Sequence, residues 1–215
     1  LGMSGFVMSI TNGSVQIICN ATLQHYGGDL YVGIMTVINS IREIVTMPVT
    51  GLTSGAQPVM SFNYGAKKYD RIKEGHWKIP ICSGLITLGC GLFFIMIHKS
   101  LIRFFSSDEM VLMYASRHVV VMLLSQWFYA IFNCIISIVN GTGRVRYTTI
   151  VNILMLWAVR IPSAYIINRY FDGTWVMLCF PISFSFGMFA MIGYYLFSPA
   201  WKEVMRLAEN KPQDY

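Results

Sequence analysis

Long stretches of this chain carry no Asp, Glu, Lys or Arg, among them residues 1–28, 79–97, 119–139 and 173–201. A hydrocarbon core about 30 Å thick is crossed by roughly 20 helical residues, so each stretch can span a bilayer. Turn signals at HYGGD, NYGAKKYDRIKEGH, HKSLIRFFSSDE, NGTGRVR and NRYFDG predict helices over about 2–25, 30–56, 77–98, 109–139, 147–168 and 174–198. The expected fold is therefore an all-α membrane protein, with six transmembrane helices in residues 1–200 and a charged tail over 201–215. Hydrophobic residues make up 55% of the chain and charged residues 12%, about half the usual charged share of a globular domain. A soluble enzyme is excluded. The abundance of Met, Phe, Tyr and Ile equally excludes a disordered chain.

The net charge of +6 forms no continuous basic face, so nucleic acid is not an expected partner. The cations fall between apolar segments instead. Ten of the sixteen Lys and Arg lie in the loops after the second and fourth helices and in the tail, against three (Lys99, Arg103 and Arg169) on the opposite side. The positive-inside bias predicts a multi-pass protein of the plasma (inner) membrane with a cytoplasmic C-terminus, so that Lys68 and Lys211 are both inside. Five scattered cysteines form no CxxC pair, and the four histidines lie at or near segment ends. No P-loop, HExxH or nucleophile elbow occurs, so neither catalysis, a bound metal nor a cofactor is expected. The opening at Leu1, inside an apolar helix and without an initiator Met, predicts a longer parent chain.

What stands out is polar residues at helical spacing inside apolar segments. Asn12, Gln16, Asn20 and Gln24 recur every four residues in the first helix. Thr36, Asn39, Glu43, Thr46, Thr50 and Thr53 recur at spacings of three and four in the second, and so do Gln126, Tyr129, Asn133, Ser137 and Asn140 in the fourth. An amide in hydrocarbon needs a partner, so these faces meet other helices or water rather than lipid. Two readings stay open: interhelical glue, worth only about 0.6 kcal/mol per contact, or the wall of a solvated cavity. The candidate cavity residues are Asn12, Gln16, Asn20, Thr36, Asn39, Gln126, Tyr129 and Asn133, joined by Trp127.

Glu43 is the one carboxylate well inside a segment, where an unpaired charge costs at least about 2.5–3.5 kcal/mol. Arg42 is its neighbour, but adjacent helical side chains point about 100° apart, so each is expected to find another partner. Arg160 in the fifth helix is the candidate partner for Glu43. A fixed ion-pair network and a carboxylate that binds and releases a cation both fit. Pro48 removes the backbone bond to the Ile44 carbonyl and predicts a kink nearby.

At the end of the second helix the chain runs from Gly51 through Gly55, Gln57-Pro58 and Asn63-Tyr64-Gly65-Ala66 to Lys67-Lys68. This order resembles the C-terminal lobe of the multidrug and toxic compound extrusion (MATE) family. HYGGD, NGTGRVR and Arg160-Ile-Pro162 extend the resemblance over all six helices. It implies one lobe of a twelve-helix transporter, whose two lobes flank a V-shaped cleft that opens alternately to either side. The implied activity is export of drugs or metabolites in exchange for Na⁺ or H⁺. The implied partners are an N-terminal six-helix lobe, surrounding lipid, and a small amphipathic or cationic substrate that meets aromatic rings in the cleft.

One branch of the family carries cation-binding carboxylates in the first and fourth helices of this lobe. Here the first helix has only Asn and Gln, and the fourth has Asp108 and Glu109 only at its outer end. Either Glu43 takes over the cation-coupling role or that role belongs to the other lobe. A lipid-linked oligosaccharide flippase of related architecture is an alternative, with Arg42, Arg117 and Arg160 as the cations for its pyrophosphate. A structural membrane domain or a small oligomeric pore is another. Water access to Gln16, Asn20 and Glu43 discriminates among them.

Overall fold

The computed structural model describes residues 2–170 and 173–209, with side chains at all of these except 2–5, 7–9, 26, 173–174, 177 and 200. Lys211, expected to be cytoplasmic, lies outside the described residues. Helices follow one another with almost no loop: α1 (Gly2–Gly65), α2 (Tyr69–Phe105), α3 (Glu109–Gly141) and α4 (Val145–Ile153). A π-helical stretch (Leu154–Arg160) leads directly into α5 (Ile161–Tyr170). A 3₁₀ turn (Gly173–Leu178) precedes α6 (Cys179–Phe197), and α7 (Pro199–Glu209) closes the described chain. Among the described residues, five helices are long and apolar enough to cross a membrane: Gly27–Gly65, Tyr69–Phe105, Glu109–Gly141, Val145–Tyr170 and Cys179–Phe197. The arm before Gly27 is helical but not among the five, because its Asn and Gln residues lower its mean hydropathy.

The first two predicted helices are one element bent at a single residue. Gly28 has φ 61° and ψ −154°, a region that only glycine occupies at low cost. Across the bend Gln24 Nε2 donates to Asp29 Oδ1 at 2.8 Å. The break is thus at Gly28 and not at Pro48, which lies inside the helical run together with Pro58. At the far end Lys67 takes φ 57° and the Lys68 amide reaches back to the Asn63 carbonyl at 2.9 Å, ending α1 in a left-handed cap.

The α3 helix is the hub, packed against α1, α2 and α6. All side chains of residues 134–139 are buried, which a helix achieves only when neighbours surround it. Gly141 is required at one of these contacts: a Cβ there would lie 2.7 Å from Met60 Cβ and 3.0 Å from the Gln57 carbonyl oxygen. In α2 the pattern is inverted. Its buried face holds the small residues Ser83, Gly84, Thr87 and Gly91, while Leu85, Leu88, Leu92, Phe93 and Met96 point outward. Small residues inside and large apolar ones outside suit a helix that packs closely on protein and faces lipid. The charged tail is not free over its described part. Trp201, Val204 and Ala208 are buried, and Lys73 Nζ lies 3.1 Å from Glu209 Oε1, so α7 docks on α2 as an amphipathic helix.

Candidate functional site: a polar cavity between α1, α3 and α6

A cavity of about 500 Å³ opens where both arms of α1 face α3, the π-helical stretch and α6. The first arm of α1 contributes Asn12 and Gln16, and the second contributes Asn39, Arg42 and Glu43. Tyr129, Phe132 and Asn133 come from α3, Asn152 from α4, Arg160 from the end of the π-helical stretch, and Phe180 and Phe184 from α6. A groove sharing Arg42, Glu43 and Tyr129 continues along Thr46 and Thr50 of α1. Amides and charges thus collect in one concavity of an otherwise apolar bundle, where each needs water, a ligand or another helix as partner.

Five of the eight cavity residues expected from the stripes line this space: Asn12, Gln16, Asn39, Tyr129 and Asn133. Asn39 is buried with its carbonyl oxygen unpaired, while Asn133 Nδ2 donates to the Tyr129 carbonyl at 3.1 Å. The other three do not join them. Gln126 is 0% exposed and donates to the Met122 carbonyl of its own helix at 2.9 Å, because α3 is enclosed on that side too. Thr36 is exposed, with its hydroxyl on the Val32 carbonyl at 2.8 Å. Asn20 is half-buried outside the lining. Trp127 lines a separate, apolar cleft facing α2 and α7.

The charges also depart from expectation. Arg42 does reach its neighbour: its Nη2 lies 3.8 Å from Glu43 Oε1, at the loose end of an ion pair. Glu43 is no buried carboxylate, since its side chain is 69% exposed, against 18% for Arg42. Arg160 does not meet Glu43. It is 8% exposed, gives Nε–H and Nη2–H to Ser183 Oγ at 3.1 Å each, and lies over the rings of Phe180 and Phe184 at 4.5 and 5.1 Å. Arg42 lies 5.7 Å from the same Phe180 ring. Arg117 is elsewhere, over Trp175. Asn152 belongs to the cavity although no stripe points to it. It carries the same signal, an amide inside the apolar run 147–168, whereas Phe180 and Phe184 have none that separates them from lipid-facing rings.

The model of the family described as MatE matches residues 5–166. The chain belongs to the MatE family. A probable multidrug resistance protein, YoeA, of Bacillus subtilis (strain 168) is 25% identical over 220 residues, covering 97% of this chain and 45% of the relative. The multidrug export protein MepA of Staphylococcus aureus (strain N315) is 28% identical over 199 residues, covering 91% and 43% respectively. The chain spans less than half the length of these MatE relatives. Its fold is that of a MATE crystal structure in complex with MaL6, with a TM-score of 0.84 at 15% identity, over 98% of this chain and 47% of that one. It matches an inward-facing MATE transporter of the MOP superfamily at TM-score 0.82 (14% identity, covering 99% and 48%) and an outward-facing one also at 0.82 (15% identity, covering 98% and 46%). One MatE lobe fold therefore fits both states. Members of the family are transporters, and this chain is a multi-pass membrane protein of that family.

Proposed function

We propose that this chain is one six-helix lobe of a cation-coupled antiporter that exports drugs or amphipathic metabolites by alternating access. The second lobe, six further helices, would complete the cleft. The observation that carries the reading is the cavity itself, in which Asn12, Gln16, Asn39, Asn133 and Asn152 surround a space large enough for a drug-sized solute. The equal fit to inward- and outward-facing structures supports motion of the lobe as a unit. Glu43 is the one carboxylate among the described lining residues, and so is the candidate site for coupling to Na⁺ or H⁺. The basic loop at Lys67 and Lys68 supports a cytoplasmic face there, in the plasma membrane.

The test uses the full transporter in proteoliposomes with an imposed Na⁺ or H⁺ gradient and a fluorescent amphipathic dye. Gradient-driven dye movement that Glu43→Gln uncouples, with dye binding retained, is expected. Movement indifferent to both gradients overturns the coupling. The flippase reading is favoured by one observation, the opening of Arg42 and Arg160 on the same cavity. Transfer of a lipid-linked oligosaccharide across the liposome membrane, without dye movement, would select it.

A further inference from the structure

The charge balance of the cavity is one-sided. Two guanidiniums line it, and the one lining carboxylate, Glu43, is largely exposed and also faces the neighbouring groove. Among the described residues Arg160 forms no ion pair, although it is more than nine-tenths buried. Ser183, its hydrogen-bond acceptor, is neutral and takes two of its five N–H donors. Arg42 Nε is likewise buried without a partner, and its contact with Glu43 is too long for a hydrogen bond. The faces of Phe180 and Phe184 offset part of the cost of holding these charges, but they supply no acceptor for the in-plane N–H groups. Guanidinium forks left open beside a cavity match the planar, multi-oxygen geometry of an anion.

From this geometry we infer that the cavity recognises an anionic group (a carboxylate, sulfonate or phosphate) of an amphipathic ligand, held by Arg160 and Arg42. The apolar body of that ligand lies against Phe132, Met155 and Leu156 on the cavity wall. The inference rests on the reading of the cavity as a transport site, and it narrows the expected amphipathic or cationic substrate to an amphipathic anion.

The experiment uses the full transporter in nanodiscs of phosphatidylcholine and two probes with the same aromatic skeleton, anilinonaphthalene sulfonate and uncharged phenylnaphthylamine. The sulfonate is expected to bind about tenfold or more tighter than the uncharged skeleton, the fold-change that charge-assisted hydrogen bonds supply. Arg42→Gln and Arg160→Gln should each reduce sulfonate affinity toward that of the uncharged probe and leave the latter unchanged. Arg42→Lys should retain most of the preference. If Arg160→Gln fails to fold, Arg42→Gln decides alone. Equal binding of the two probes, unchanged sulfonate affinity in Arg42→Gln, or tighter binding of tetraphenylphosphonium than of the sulfonate overturns the inference. Dye export that persists with any of these results leaves the proposed function standing, and absence of both binding and export removes both. Adding phosphatidylglycerol distinguishes the source: competition with the sulfonate identifies a lipid headgroup, and its absence a soluble anion, with the anion site upheld either way.

Discussion

Trp127 and Tyr129 are two residues apart on α3, yet they face opposite kinds of space. Tyr129 looks into the cavity of amides and guanidiniums, with its ring 5.0 Å from that of Phe184. Trp127 looks into a cleft lined by Trp77, Leu85, Leu88, Ile131 and Leu196, with little that can hydrogen-bond. The cleft is the larger of the two, at about 680 Å³. Size and aromatic content therefore do not separate the polar cavity from the apolar cleft in this lobe. What separates them is the density of amides and charges, since lipid solvates neither.

The sharpest way to break that contrast is to place a charge on each side. Leu88→Asp puts a carboxylate near the middle of α2, at a cost of about 2.5–3.5 kcal/mol. Most of the folded, membrane-inserted protein should be lost, as read by size-exclusion chromatography of a fluorescent fusion. Gln16→Glu introduces the same charge into the polar cavity and should cost less than about 1 kcal/mol in a thermal melt. Equal losses from the two would mean that both spaces are dry.

Water access should separate the regions next. In a cysteine-free background, Gln16→Cys and Asn133→Cys should react with a membrane-impermeant maleimide added to purified transporter. Leu85→Cys and Ile131→Cys should stay unlabelled until the protein is unfolded. Labelling of Ile131→Cys as fast as Asn133→Cys would show water on both faces of α3.

Smaller effects probe the rim. The Arg42–Glu43 pair is loose and its carboxylate is largely exposed, so Glu43→Gln should change stability by no more than about 1 kcal/mol. A larger loss would mark the pair as a structural fixture rather than a coupling element. Thr36→Val should be the mildest, within about 0.5 kcal/mol, because the hydroxyl satisfies only its own helix.

The bundle was legible because charge-free runs and glycine-marked turns are set by the bilayer itself. The stripes include residues of α1 (Asn12, Gln16, Asn39) and α3 (Tyr129, Asn133) that line the cavity, but do not show what lies opposite each residue. Along α3 the same stripe changes role: Tyr129 and Asn133 reach the cavity, whereas Ser137 Oγ donates to the Thr53 carbonyl at 2.7 Å and Asn140 accepts from Thr148 at 2.6 Å. Cavity and glue are thus successive stretches of one face. Arg160 was visible as a charge, but not its direction. It ends a π-helical stretch whose wider turns shift side chains off the usual helical register, and nothing in LMLWAVR announces such a stretch. The docking of α7 was written in Trp201, Val204 and Ala208 at i, i+3 and i+7, a pattern masked by the charges between them.

Between α1 and α4 the described chain leaves helical structure only at residues 66–68, 106–108 and 142–144, and the bend at Gly28 has no loop at all. A protease needs a flexible stretch of extended chain in its cleft, and an antibody needs a protruding epitope. This lobe presents neither at the bend between the two arms of α1. Limited proteolysis of the native protein should therefore leave residues 2–65 as one fragment, cut first at the exposed turn 66–68, and binders raised against the folded form should find the short turns or the inner wall of the cavity.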